Sequence, residues 1–328
     1  MNAWLRPSRL RELGMLGMNR RNVEFINRYN PRHLYPLVDD KLKTKLLAQD
    51  YEVPTPGLRC VVREQHAVRD IETTLSGSGG FAIKPAKGSG GKGILVVTGR
   101  SDSGFVRSSG AALSALSIQR HLTNILAGLY SLGGTADVAI IEDLVRFDDC
   151  FAGYSHEGVP DIRIIVFLGY PVMAMLRLAT AESEGKANLH QGAVGVGIAL
   201  DSGRCLNAVQ HGEKLLSHPD TGRPLRDVSI PGWRDILLLA ASCYEMTGLG
   251  YIGTDIVLDR EKGPQLLELN ARPGLAIQVA NGIGLLPRLR QIENRNERKR
   301  PSPQERVDYV MAQFGADQVT AMESAPYV

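Results

Sequence analysis

The sequence predicts an α+β chain of two subdomains, on three observations. An apolar strand, a glycine-rich loop and a second apolar strand follow one another in "FAIKPAKGSGGKGILVV", Phe81 to Val97. Two hairpin patterns, "DIRIIVFLGYPVMAMLRLA" and "YIGTDIVLDREKGPQLLELNARPG", occupy the second half, and segments with helical spacing stand between these strands. A chain of 328 residues has room for two domains or subdomains, and 43% hydrophobic with 22% charged residues suits a protein with a sizeable core.

Taken in order, residues 1 to about 38 read as helical and then irregular, ending at Pro31 and Pro36. "VDDKLKTKLLAQDYEVPTP" is a helix with Asp39 or Asp40 as N-cap, Leu42, Leu46 and Leu47 at helical spacing, and Pro54 and Pro56 closing it. After the glycine-rich loop, "SGAALSALSIQRHLTNILAGLYSL" reads as one long helix and "DVAIIEDLV" as a strand running into a linker. The first hairpin is expected to turn at Gly169 to Pro171, the helix "GWRDILLLAASCYEMTG" to end at Gly248, and the second hairpin to turn at Arg260 to Gly263. The tail after Pro287 is charged until a short helical "ERVDYVMAQF". This divides the chain into an extension over 1–38, a first subdomain over 39–140, a second over 141–287 and a basic tail over 288–328.

Composition narrows the function classes. Cys60, Cys150, Cys205 and Cys243 lie far apart with no C-x-x-C pair, which speaks against a zinc site or a disulfide framework and for a reducing cytoplasm. No apolar run reaches the length of a membrane span, and no secretory signal is read at the N-terminus. A net charge of +3 argues against wholesale nucleic-acid binding. Positive charge nevertheless gathers at the ends, in Arg6, Arg9, Arg11, Arg20 and Arg21 and in "RLRQIENRNERKR"; these could be solvated arms, could close an oligomer or could recruit an acidic partner.

The loop carries G-x-G-x-x-G at Gly88, Gly90 and Gly93, a pattern shared by several phosphate cradles. A dinucleotide fold needs the glycines to lead into a helix with an acidic residue about 20 positions on. Here "ILVVT" is strand-like and no Asp or Glu lies between Ser103 and Ala136. A Walker A loop fails because Ala86 stands where the first glycine should and Gly93 follows Lys92; a kinase loop fails for want of H-R-D and D-F-G. What remains is a glycine hairpin with Lys84 on the strand before it. The amides of Gly88, Gly90, Gly91 and Gly93 could approach phosphate oxygens with no Cβ in the way, although taken alone such a loop could be an ordinary flexible hairpin.

In the second hairpin a simple antiparallel register places Asp255 opposite Glu268, with Asn270 on the same face. Opposed carboxylates repel unless a cation sits between them, and Asp, Glu and Asn are hard oxygen ligands suited to Mg²⁺; a solvated acidic edge is the alternative. A phosphate cradle with a Mg²⁺ carboxylate pair points to nucleoside triphosphate chemistry. Arg163 and Arg177 would face each other across the first hairpin if its loop has three residues. Guanidinium groups in such apolar strands require either a structural ion pair or a bound phosphoryl or carboxylate group, with the anion slightly favoured. Arg272, just past the ligand strand, is placed to meet a developing acyl phosphate or oxyanion.

Together the strings "DDKLKTKLL", "AIKPAKGSGGKGI", "IIEDLV", "DIRIIV", "KANLHQG", "TDIVLD" and "ELNARPG", in this order over Asp39 to Leu286, resemble the ATP-grasp superfamily and in particular its RimK-like α-L-glutamate ligases. The resemblance implies ATP clasped by two α+β lobes, with Lys41 and Lys84 on its phosphates beneath the glycine loop. It implies Glu142, Asp143 and Leu144 at the adenine, Asp161 at the ribose, and Lys186 and Asn188 near the γ-phosphate. Asp255, Glu268 and Asn270 would hold Mg²⁺, two ions for which Mn²⁺ could substitute, and Arg163, Arg177 and Arg272 would serve catalysis. The implied reaction activates a carboxylate as an acyl phosphate, which an amine attacks to form an amide, adding an amino acid such as glutamate to a peptide or protein carboxyl end.

The departures from that family are specific. About 38 residues precede the first lysine motif, so the usual preceding domain is expected to be missing or reduced. The linker "VRFDDCFAGYSHEGV" is long, and the family's Arg-Ser-Asn and His-Arg-Gly-Gly read Lys-Ala-Asn and His-Gln-Gly-Ala at Lys186 and His190. Two other readings therefore stand beside the glutamate ligase: an ATP-grasp ligase acting on cell-envelope peptide or polysaccharide, and a non-catalytic ATP-binding module. His190 alone is more simply a solvated loop residue, and Trp4 and Trp233 are packing residues.

Overall fold

A computed structural model describes residues 7–75, 79–88, 90–101, 104–295 and 300–324; Trp4, Arg6 and residues 296–299 of the basic tail lie outside them. The chain forms two compact units, one over Asp39–Arg146 and the other from the residues through Val38 together with those from Phe147 onward.

The smaller unit is built on strands β1 (Leu58–Val62), β2 (Phe81–Pro85), β3 (Leu95–Ser101), β4 (Gly104–Arg107), β5 (Ala112–Leu113) and β6 (Ala139–Asp143). They form one antiparallel sheet in the order β1-β6-β2-β3-β4-β5. Helix α1 (Lys41–Asp50) starts at Asp40, whose carboxylate accepts from the amides of Leu42 and Lys43; the N-cap is therefore the second of the two aspartates. Helix α2 (Ala115–Leu126) is shorter than its sequence pattern, because Ser114 caps it and Ala112–Leu113 pair with β4 instead. Its apolar stripe, Ile118, Leu122, Ile125 and Leu126, packs into a core with Phe81, Ile83, Phe105 and Ile141. Each such side chain contributes about 1.5–3 kcal/mol relative to exposure.

The larger unit carries β7 (Asp161–Phe167), β8 (Tyr170–Leu178), β9 (Val194–Ile198), β10 (Cys205–Gln210), β11 (Glu213–Lys214), β12 (Tyr251–Asp259) and β13 (Gly263–Asn270). These make a second antiparallel sheet ordered β11-β10-β9-β8-β7-β12-β13. Strand β12 is buried along its whole length, as expected of a strand flanked by β7 and β13. Helix α3 (Trp233–Thr247) packs on β12, β13, β7 and β8, and ends at Gly248 in the left-handed conformation. The helix expected as "ERVDYVMAQF" extends over Pro303–Ser324 as α4 and packs on β8 and α3. Residues 7–38 include short helical segments, among them Met18–Arg20, a π-turn at Arg21–Ile26 and Asn27–Tyr29.

The two hairpins position the charged residues, and each corrects its expected turn. The first turns at Leu168–Gly169, not at Gly169 to Pro171. Both residues have positive φ (50° and 83°), the geometry of a two-residue hairpin turn. Pro171 lies inside β8 beside a register shift that leaves Val172 as the extra residue, and a bulge is where a strand tolerates proline. The second hairpin has a three-residue loop, Arg260 to Lys262, with Asp259 accepting from the amides of Glu261 and Lys262. A bulge at Leu267 restores the register, so Asp255 does pair with Glu268.

Candidate functional site

In the smaller unit two lysines meet at a buried carboxylate. Lys84 comes from β2, whose strand runs antiparallel to β6, and its Nζ donates to Glu142 Oε2 at 2.6 Å. Lys45, one helical turn beyond Lys41 on α1, meets Glu142 Oε1 at 2.9 Å, and Lys45 and Glu142 are about 5% exposed. Burial pushes the Glu142 pKa up, but the two ammonium groups outweigh it and hold the carboxyl below its usual range. Burial lowers the Lys45 pKa despite Glu142. Lys41 Nζ donates to the carbonyl of Gly88 at the root of the glycine loop. Gly90, Gly91 and Gly93 have φ of 63°, 74° and 76°, which suits residues without a Cβ.

The far side of the loop is anchored by Tyr130, against which a Cβ on Gly93 would collide at 2.5 Å, and by His121, whose Nε2 lies 2.9 Å from the Gly93 carbonyl. At the end of β6 the amides of Asp143 and Leu144 donate to Gly57 and Gly80, and Arg59 holds the Asp143 carboxylate at 2.7 Å. The side chain of Glu142 is thus committed to lysines, and the amides of the next two residues are committed to neighbouring carbonyls.

In the larger unit a row of charge crosses four strands. Glu268 on β13 pairs with Asp255 on β12, and Asp255 pairs with Arg163 on β7; two residues along β7, Asp161 pairs with Arg177 on β8. Arg163 therefore stands opposite Met175 and does not face Arg177 as expected; the two-residue turn and the bulge offset them by two positions. Their guanidinium groups converge nonetheless. Arg163 forks onto both oxygens of Asp255, with the Nη2 contact at 2.6 Å, while Arg177 forks onto Asp161 and reaches Asp255 Oδ2 at 2.9 Å. The structural ion pair, rather than the slightly favoured bound anion, satisfies both arginines. Burial pushes the Asp161 pKa up to about 6, and nearby Asp255 adds to this, against the pull of Arg177. Burial pushes Asp255 up too, yet Arg163 and Arg177 together bring it below the ordinary value. Arg177 is raised, because its two carboxylates overcome the cost of burial.

Asn270 Nδ2 lies 3.3 Å from Asp255 Oδ2, so Asp255, Glu268 and Asn270 share one patch. With two carboxylates and an amide the donor set suits a hard divalent cation that takes its remaining ligands from water and phosphate. Repulsion across the strands no longer argues for that ion, because the charge of Asp255 is already balanced by arginines. Among the described residues no group of three His, Cys, Asp or Glu gathers as a metal site. Arg272 is exposed two residues past β13, with its guanidinium 4.9 Å from the ring of Tyr35. Lys186 pairs with exposed Glu184 at 3.0 Å, and Asn188 caps a short 3-10 turn through the amide of His190. Both lie on the segment joining β8 to β9.

Sequence reasoning missed Lys45 as the second partner of Glu142 and Asp161 as the partner of Arg177. The i, i+4 spacing of Lys41 and Lys45 was the available signal for the first.

The profile of the family described as sugar-transfer associated ATP-grasp matches residues 20–294. Among solved structures the chain is similar to the ATP-grasp ligase PsnB complexed with minimal precursor, at 15% identity over 87% of this chain and 63% of that one, TM-score 0.40. It is similar to D-cycloserine synthetase DcsG at 17% identity over 83% and 77% of the two chains, TM-score 0.46. D-alanyl-alanine synthetase A from Vibrio cholerae O1 biovar eltor matches at 10% identity over 87% and 66%, TM-score 0.47. The chain thus spans less than two thirds of the length of PsnB. No curated protein matches it.

Proposed function

The chain belongs to the sugar-transfer associated ATP-grasp family, and from that premise we propose that it is an ATP- and Mg²⁺-dependent carboxylate-amine ligase. The observation that supports this most is the pairing of Asp255 with Glu268, with Asn270 on the same patch: a built set of oxygen donors beside two arginines. Mg²⁺ bound there would neutralise charge on the phosphates during transfer.

The chain's own residues would supply the rest. Lys41 and Lys84, with the amides of Gly88, Gly90, Gly91 and Gly93, bind phosphate oxygens. Glu142 fixes the Lys84 ammonium group, and the segment Glu142 to Leu144 would contribute to adenine binding; in the larger unit Asp161 would contribute to ribose binding. Lys186 and Asn188 approach the γ-phosphate. Arg163 and Arg177 keep Asp255 ionised and oriented, and Arg272 stabilises the oxyanion that develops as the amine attacks. No protein nucleophile is required, because phosphoryl transfer makes the acceptor carboxylate an electrophile.

The motif strings shared with RimK-like glutamate ligases support an amino acid such as glutamate as the amine, and a peptide or protein carboxyl end as acceptor. The family's sugar-transfer description favours a second reading, a ligase for cell-envelope peptide or polysaccharide. Mass spectrometry of products from a panel of amino acids and both acceptor classes tests this. A new amide on a peptide acceptor supports the first reading, one on an envelope fragment supports the second, and ATP binding without any product across the panel removes the ligase.

A further inference from the structure

We propose that the segment Arg21 to Tyr35 positions the loop that follows the ligand strand, with Tyr35 orienting Arg272. The inference deepens the ligase reading and rests on it for the role of Arg272.

Three successive loop residues are each held by a different residue of this segment. Asn30 Nδ2 lies 3.4 Å from the carbonyl of Ala271, the ring of Tyr35 lies under the guanidinium of Arg272, and Arg21 Nη1 donates to the carbonyl of Pro273 at 2.6 Å. The segment is itself anchored to the sheet. Asn30 exchanges hydrogen bonds with the backbone of Tyr251 at the start of β12, donating at 2.7 Å and accepting at 2.8 Å. Phe25 and Tyr29 set their rings edge-on against Phe167 of β7 at 5.5 and 5.0 Å. β12 approaches the same loop at Gly253, where a Cβ would stand 2.6 Å from Pro273 Cβ, so the loop is closely packed on the strand as well as held by the segment.

The three contacts differ in kind. Arg21 and Asn30 grip main-chain carbonyls, which fixes the path of the loop. Tyr35 is buried and touches the side chain of an exposed arginine. Water would solvate that guanidinium as well, so the ring is not needed to satisfy it; its effect is to restrict where the charge points. A small misplacement of a group that must meet a developing charge is enough to cost about 100-fold in rate. Arg21 belongs to the π-turn, an irregularity that frequently marks functional positions in helices.

The test compares Tyr35→Leu and Tyr35→Phe with the wild type in ADP release from Mg-ATP, L-glutamate and a glutamate-ended peptide, ATP affinity, melting temperature, and hydrogen exchange of the amides of Ala271, Arg272, Gly274 and Leu275. The expected result is that Tyr35→Leu lowers kcat by at least about tenfold and speeds exchange in that loop. ATP affinity and melting temperature stay near wild type, and Tyr35→Phe, which keeps the ring, recovers at least half of the turnover. The proposal is overturned if loop exchange in Tyr35→Leu is unchanged, or if turnover falls only in step with melting temperature. Absence of turnover in the wild type would remove L-glutamate as the amine and not this inference, since exchange in the loop still decides whether Tyr35 orders it.

Discussion

Asp255 pairs directly with Glu268 across the β12–β13 hairpin while its own carboxylate is held by Arg163 and Arg177. Two opposed acidic groups therefore have different surroundings. Asp255 is about 4% exposed and compensated within the sheet, whereas Glu268 on the outer strand is only partly buried. Substitutions at the two positions should separate a structural effect from a functional one.

Asp255→Ala strands Arg163 and takes one of two carboxylates from Arg177, which keeps Asp161, and breaking such a buried pair costs about 3–5 kcal/mol. Glu268→Gln keeps shape and volume and is expected to cost less than about 1 kcal/mol, within the range of partly exposed substitutions. Urea unfolding of both variants checks this; equal losses of stability would mean that the arginines do not depend on Asp255.

Glu268→Gln replaces one of the two carboxylates of the donor set with a neutral amide. The Mg²⁺ concentration for half-maximal ADP release should rise by at least about tenfold, as expected when a hard cation loses a charged oxygen ligand. A Mg²⁺ titration of wild type and variant reads the shift, and superimposable curves would remove Glu268 from the site.

Burial pushes the Asp161 pKa up to about 6, above the ordinary value of about 3.8. The folded state then binds more protons than the unfolded state between these values, so this group contributes stability that is present below about pH 4 and lost as pH rises through 6. Asp255, whose pKa is depressed, acts oppositely and loses its contribution as pH falls below the ordinary carboxylate range. Relative to Asp161→Asn, the stability of the wild type should decline between pH 4 and 7, as measured by urea unfolding at each pH; parallel profiles would refute the raised pKa.

Lys45 and Lys84 share Glu142 but should fail differently. Lys84→Met is expected to weaken ATP binding by at least about tenfold, since it removes a charge that the proposed function assigns to the phosphates. Lys45→Met leaves Lys84 paired and should mainly lower stability, by about 2–4 kcal/mol, because it removes one of the buried partners of Glu142. Calorimetric ATP titration and thermal unfolding distinguish the two; a larger loss of ATP affinity in Lys45→Met would reverse the assignment.

Local patterns carried much of this structure into the sequence. The Asp40 cap, the strand–loop–strand around Gly88 to Gly93 and the stop at Gly248 follow from residues within a few positions of one another. The Asp255–Glu268 register was legible too, although it arises from a three-residue loop compensated by the bulge at Leu267. The first hairpin lacked such compensation. A left-handed Leu168 is not signalled by a residue type that avoids positive φ, so its turn was placed too late and Arg163 was matched with the wrong residue. Partners brought together by tertiary packing, such as Lys45 with Glu142 or Arg21 with Pro273, leave no periodicity to read.

The most direct test of the ligase is Mg²⁺-dependent ADP release by the purified protein with ATP and each of the twenty amino acids, alone and with glutamate-ended peptides. Glu268→Gln is the control, because Asp255→Ala would also unsettle the fold. Amino-acid-dependent release by the wild type that falls in Glu268→Gln at limiting Mg²⁺, while the variant remains folded, is the predicted result. Release by Glu268→Gln equal to that of the wild type at every Mg²⁺ concentration, or silence in the wild type across the panel with ATP bound, would contradict it.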